Sequence, residues 1–168
     1  LQRRVGAEFD VDACCDPLGS NAQCPRFWSD CLQEKWRGLQ VWCNPPYSSD
    51  SVSIQAVLEH FLKERRHDPE HTSAMFILPD VNAQWRKLLD RHGMKILKHY
   101  PVRTATGEPH CLFQKPDGEP VPMTFPVMAV WAPPAQRPSR PRPLRVTAPA
   151  RDPVVRTGKA AEFRDKAE

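Results

Sequence analysis

The chain has 168 residues, enough for one domain of ordinary size and a short extension. No apolar run approaches the ~18 residues a membrane span needs and no signal-peptide pattern opens the sequence, so neither a membrane-spanning nor a secreted protein is expected. The formal net charge of +4 is unevenly spread: from Pro134 onward nine Lys/Arg stand against four Asp/Glu, a surplus of five, leaving the first 133 residues at about −1.

In chain order, Glu8-Phe9-Asp10-Val11-Asp12-Ala13 reads as a short strand ending in acid. Leu39-Gln40-Val41-Trp42-Cys43 is a stronger strand, apolar and β-rich, halted at once by Asn44-Pro45-Pro46. After a Ser/Asp cluster, Ile54, Val57, Leu58, Phe61 and Leu62 recur at i, i+3, i+4, i+7 and i+8, which predicts an amphipathic helix. Ser49, Asp50 or Ser51 is its expected N-cap. Ser73 to Leu78 is an unbroken apolar run ended by Pro79-Asp80, the pattern of a strand buried on both faces of a parallel sheet. A second helix is expected with Trp85, Leu88 and Leu89 on one face and Gly93 as its stop. Met94 to Leu97 follows as a short strand.

His110 to Gln114 and Met123 to Trp131 are extended runs around the turn sequence Lys115-Pro116-Asp117-Gly118-Glu119, and a hairpin is expected there. The alternation predicts an α/β fold whose sheet is mostly parallel, with an antiparallel C-terminal hairpin. Residues 134–168, rich in Pro and Arg and without periodicity, read as a disordered tail or linker outside a domain spanning 1–133. Its arginines suit nonspecific phosphate contact, whereas nucleic-acid affinity of the near-neutral body must come from local patches. The chain opens on Leu1 rather than Met, so the domain is expected to lack upstream residues.

Cys14, Cys15, Cys24, Cys31, Cys43 and Cys111 form no Cys-x-x-Cys pair of the kind a zinc site uses. A disulfide framework belongs to small secreted chains, so reduced cysteines acting as small hydrophobes in an intracellular protein, in host cytoplasm or nucleus, are expected. No metal is assigned to the six histidines. Arg65, Arg66, His67 and His71 read as a solvated helix end whose cations suit the dipole, with DNA phosphate contact as the alternative. Trp28, Trp36, Trp42, Trp85 and Trp131 read as packing residues rather than base-stacking platforms.

Asn44-Pro45-Pro46-Tyr47 carries the chemistry. In open α/β sheets ligands gather at the carboxyl ends of the strands, where this motif sits. An exocyclic amine on an aromatic ring is a poor nucleophile, because its lone pair is delocalised. The Asn44 side-chain oxygen and the Pro45 carbonyl can each accept one of its N–H bonds, favour charge build-up on nitrogen and align the lone pair on a methylsulfonium. The prolines fix φ and remove competing donors. Tyr47 would stack on a base flipped out of the duplex. An ordinary strand-to-helix turn is the plain alternative.

The stretch from Phe9 to Ser48 resembles the phage-type (Dam-like) DNA N6-adenine methyltransferase family. The likeness rests on Phe9, Asp12 and Ala13, Asn21, Phe27 or Trp28, Leu32, Trp36, and then Val-Trp-Cys-Asn-Pro-Pro-Tyr-Ser over Val41 to Ser48. Thr72 to Pro79, Trp85 and the closing Phe-Pro-Val-Met-Ala-Val-Trp extend it over most of residues 1–132. Similar domains occur in mobile elements of the tyrosine-recombinase retrotransposon type. The resemblance implies a Rossmann-like methyltransferase sheet, S-adenosylmethionine as methyl donor and DNA adenine as acceptor. The resemblance favours Asp12 as donor-binding acid; Asp10 and Asp16 are the other available acids for the donor's ribose or amino group, Asn21 matches the family's Asn, and Asp30 is a loop acid placed to help the donor pocket. The family's Thr-Pro segment would lie upstream of Leu1. The sequence departs from the methyltransferase pattern in its first loop, where Ala13 to Gly19 offers one glycine instead of a Gly-x-Gly turn. A catalytically inactive nucleic-acid-binding module of a mobile-element protein is the competing reading; methylation of cytosine N4 or a protein glutamine is a third.

Overall fold

The computed structural model describes residue 6 and residues 8–47, 53–115 and 117–135. Among the described residues seven strands and two helices follow one another: β1 (Val11–Asp12), β2 (Gln40–Cys43), α1 (Ile54–His67), β3 (Ser73–Pro79), α2 (Arg86–Arg91), β4 (Lys95–Tyr100), β5 (Phe113–Gln114), β6 (Pro120–Val121) and β7 (Val127–Ala132). The expected tail from residue 136 on, and Ser49, Asp50 and Ser51, lie outside the described residues.

The main sheet has the order β1-β2-β3-β7-β4. β1, β2 and β3 are parallel, while β7 is antiparallel to both β3 and β4. Four of the five strands therefore share one direction, and the chain is α/β as expected. The hairpin is corrected. Phe113–Gln114 pairs with Pro120–Val121 in a small separate ladder, and the last strand leaves it to enter the main sheet between β3 and β4. The reason lies in Val127-Met128-Ala129-Val130-Trp131-Ala132, which is apolar at every position and buried at all but Trp131. A hairpin arm with one wet face would alternate; a strand with cores on both sides does not. Pro122 and Pro126 separate β7 from the small hairpin.

β3, buried at all seven positions, is the central strand of that sheet. Its Ala74, Phe76 and Leu78 join Val11, Val41 and Cys43 under α1, whose Val57, Leu58 and Phe61 form the buried stripe. Met75 and Ile77 point the other way, to a second cluster with Phe9, Tyr100, Val127 and Ala129. The N-cap of α1 is Ser53, whose hydroxyl accepts from Ala56 N at 3.1 Å, in place of the three candidates further upstream. The second helix is only six residues long and ends where Gly93 takes φ +65°. No helix among the described residues is long and apolar enough to cross a membrane.

No helix joins β1 to β2. The connecting loop is packed instead by Trp28 and Trp36, which enter the helix-side core as the sequence suggested, and Trp85 joins them. Trp42 and Trp131 are half-buried against the second cluster.

At the end of β3, Asp80 binds His99 Nδ1 of β4 at 2.6 Å and Arg86 of α2 at 2.8 Å, so one carboxylate links three elements. The His99 hydrogen bond, with Arg86 in support and against partial burial, holds the Asp80 carboxyl below its ordinary range. A depressed folded-state pKa contributes stability above the unfolded value, which is lost as pH falls through the folded value. Asp80→Asn is expected to lower stability by about 1 kcal/mol at neutral pH. That deficit should shrink in acid, as pH falls through the folded-state value and the wild-type carboxyl protonates. Urea melts of both proteins at neutral and acid pH check this; a deficit unchanged in acid would refute it.

Candidate active site

Asn44 to Tyr47 leave the carboxyl end of β2, where the ladder with β3 closes on the pair Cys43↔Phe76. Pro45 is buried, Pro46 exposed, and Asn44 and Tyr47 half-buried. The prolines offer no N–H to extend the ladder. Tyr47 turns back over the gap, and its hydroxyl lies 2.9 Å from Asn44 Oδ1 and 3.0 Å from the Ile77 carbonyl oxygen, both acceptors. Burial pushes the Tyr47 phenol up, so it stays a neutral donor at physiological pH. Its ring meets Phe125 edge to face at 5.5 Å between centroids.

An open cleft of about 800 Å³ lies beside these residues. One side is polar, with Asp16, Asn21, Ser29 and Asp30; the other is apolar, with Phe113, Val121 and Phe125. Asn44 to Tyr47 also line it. A second cleft of about 570 Å³ shares Cys14, Asn21, Asn44 and Phe113 with the first and adds Asp12, Gln23, Trp42 and Lys115. Both volumes fall in the range of small-molecule sites.

The polar side is built by loop hydrogen bonds. Asp16 accepts from Leu18 N at 2.9 Å, Ser20 Oγ at 2.6 Å and Asn21 N at 3.3 Å. Asn21 Oδ1 in return accepts from Asp16 N at 3.2 Å. The Ser20 hydroxyl, joined by backbone N–H groups, holds the Asp16 carboxyl below its ordinary range. Asp30 spends Oδ1 on Leu32 N at 3.1 Å, and no described donor meets its Oδ2. The next turn is pinned by Trp36 Nε1 donating to Cys31 O at 2.8 Å.

Gly19, the one glycine of the first loop, has φ +67°, and a Cβ there would sit 2.3 Å from the Phe27 ring. Its freedom serves this turn and this close packing. Gly19→Ala is expected to cost about 1–2 kcal/mol from the left-handed backbone and the displaced ring. A thermal melt within 1 °C of wild type would contradict it.

The residues singled out as donor contacts are thus distributed unevenly. Asn21 and Asp30 line the first cleft. Asp12 is 3 % exposed, lines the second cleft, and accepts from Gln23 N at 2.9 Å and Cys14 N at 3.3 Å, which closes the loop. Asp10 precedes β1 at the opposite end of that strand, where its carboxylate accepts from Gln40 N at 2.7 Å, and it lines neither cleft. Its place before β1, not after, is what keeps it from the carboxyl ends. Asp16 reaches the cleft instead, through the Asp16–Asn21 exchange, which the Asp-x4-Asn spacing could have suggested. Phe113, Val121 and Phe125 were missed because nothing local announces that a turn-rich segment returns to Asn44.

Cys14, which lines both clefts, has its Sγ 3.6 Å from Cys43 Sγ. All six cysteines are free, and only Cys111 is exposed. Burial pushes Cys15 to about 12 and Cys24 to about 11, so both are thiols at neutral pH rather than nucleophiles. No group of three or more His, Cys, Asp or Glu among the described residues is arranged to hold a metal ion.

No curated protein matches the chain. The family model for DNA N-6-adenine-methyltransferase (Dam) matches residues 1–96, a span that runs into β4 and contains all of Asn44 to Tyr47. With more than half of its length inside that match, the chain belongs to the DNA N-6-adenine-methyltransferase (Dam) family.

Proposed function

We propose that this chain transfers a methyl group from S-adenosylmethionine to the exocyclic N6 amine of an adenine flipped out of DNA, on a Rossmann-like sheet. The observation that carries the reading is the placement of Asn44 and Pro45 at the carboxyl end of β2, beside an open cleft with one polar and one apolar side. The donor fits the polar side: Asp30 Oδ2, Ser29 and Asn21 offer hydrogen-bonding groups for its hydroxyls and amine. Bound there, it supplies a methyl group activated by a positively charged sulfur.

The chain's own residues then act on the acceptor. Asn44 Oδ1 and the Pro45 carbonyl accept the two N–H bonds of the amine, which pins its plane and supports the positive charge growing on nitrogen. As the nitrogen–carbon bond forms, the donor's carbon–sulfur bond would break to a neutral thioether, and the nitrogen would then lose one proton to solvent in the open cleft. Tyr47, Phe113 and Phe125 receive the base by stacking and edge contacts. Neither step calls for a protein nucleophile, in keeping with protonated thiols nearby.

Transfer of label from S-adenosylmethionine to DNA, followed by mass analysis of the nucleosides, tests the reading. N6-methyladenine is expected; N4-methylcytosine or label in protein would redirect it to another planar amine. One observation favours an inactive nucleic-acid-binding module instead: Gly19 lies under Phe27, so the first loop has no glycine left for a close approach to the donor. The open cleft beside Asn44 weighs against a dead site. Calorimetry with S-adenosylmethionine separates the two, since an inactive module need not bind it.

A further inference from the structure

A hydroxyl has one hydrogen, yet the Tyr47 hydroxyl lies within hydrogen-bond reach of two acceptors that cannot donate to it: Asn44 Oδ1 at 2.9 Å and the Ile77 carbonyl at 3.0 Å. We propose that Tyr47 is a positioning residue whose hydroxyl holds the Asn44 carboxamide in place before substrate binds and turns its hydrogen bond to the Ile77 carbonyl when the substrate amine arrives. The inference rests on the methyl-transfer reading and gives Tyr47 a task separate from stacking.

The need for such a device follows from the two prolines. With no N–H at Pro45 or Pro46, nothing in the backbone of that turn reaches the Ile77 carbonyl beyond the last β2–β3 pair. The Asn44 side chain, half-buried at the cleft edge, makes no other described hydrogen bond. A freely rotating carboxamide would present oxygen or nitrogen to the amine at random, and its NH2 end would repel the amine's N–H groups. While the hydroxyl donates to Asn44 it selects the oxygen's position, because the NH2 end has no lone pair to accept with. That same bond uses one lone pair of Oδ1, and a permanent donor there would compete with the substrate. The second acceptor removes the conflict: the hydroxyl hydrogen can rotate to Ile77 with no donor or acceptor left unsatisfied, so the amine gains Oδ1 without a desolvation cost at Tyr47. Packing of the ring against Phe125 keeps the hydroxyl over both oxygens.

Tyr47→Phe keeps the ring and removes only the hydroxyl. In nitrogen-15 NMR of the whole chain, the side-chain NH2 pair of Asn44, assigned by its loss in Asn44→Ala, is expected to shift and broaden in this variant. Phe125→Leu, which disturbs the ring contact and keeps the hydroxyl, should move it far less. In the transfer assay Tyr47→Phe is expected to lower kcat about tenfold, with the KM values for donor and DNA within about twofold. An unmoved Asn44 pair, an equal response to Phe125→Leu, or a loss confined to KM would each overturn the proposal. A wild-type chain that transfers no methyl would sink the methyl-transfer reading, and the NMR arm would still decide the positioning.

Discussion

Asn44→Ala is expected to lower methyl transfer to DNA by at least about 100-fold, the scale on which removal of one preorganised group from a reacting centre is felt. Donor affinity and melting temperature should stay close to wild type. Truncation deletes an acceptor from the amine and leaves the polar side of the cleft, Asp16, Asn21, Ser29 and Asp30, in place. Asn44 is polar and only half-buried, so little apolar contact is lost. The Tyr47 hydroxyl keeps the Ile77 carbonyl as a partner and is not stranded. Steady-state transfer rates, calorimetry with S-adenosylmethionine and a melting curve test the three parts together. Full activity in Asn44→Ala would remove the centre of the functional reading. Loss of donor binding alongside activity would mean that Asn44 serves the donor rather than the amine.

Sequence periodicity was informative wherever one force dominated. β3 is apolar at almost every position because both faces are covered, and its limits were readable to within one residue. The stripe Val57, Leu58 and Phe61 placed α1, since nothing else repeats at that interval. The motif itself was readable because two successive prolines offer no N–H to continue a ladder after an apolar run. β7 is equally apolar, yet its place between β3 and β4 is a non-local choice. Periodicity reports how many faces a strand buries and says nothing of which neighbours bury them. The same limit hid the apolar side of the cleft, because Phe113 and Phe125 lie some 70 residues or more from Asn44 and sit in a segment that reads as turns. Carboxylates were the least legible. Asp10, Asp12, Asp16 and Asp30 look alike in sequence, but Asp10 and Asp12 close backbone hydrogen bonds near β1, while Asp30 keeps an oxygen over the first cleft. A two-residue difference in register decides which end of a short strand an acid occupies.

The polar side of the cleft depends on a long loop without a helix, and Trp36 is the residue that makes such a loop rigid. It is fully buried, stacks on Phe76 of β3 at 6.3 Å, meets Phe61 of α1 at 6.0 Å and Trp28 at 6.2 Å, and its indole donates to Cys31 O. One side chain thus joins the sheet, the helix and the turn that carries Asp30. Trp36→Ala is expected to cost about 3–5 kcal/mol through lost contacts and the cavity left behind. That is a large share of the ~5–15 kcal/mol that holds a domain together, so a fall in melting temperature of roughly 10 °C or more is expected. Trp36→Phe should separate the two contributions. It keeps an aromatic ring against Phe76 and Phe61 but leaves the Cys31 carbonyl without its donor, at a cost of about 1–3 kcal/mol. Because that carbonyl belongs to the turn bearing Asp30, Trp36→Phe should weaken S-adenosylmethionine binding more than Leu58→Ala, a deletion in the same core beneath α1 and away from the turn. Equal donor affinity in the two folded variants would show that the turn does not bear on the donor. A melting temperature for Trp36→Ala within 3 °C of wild type would show that the loop is held by something other than this indole.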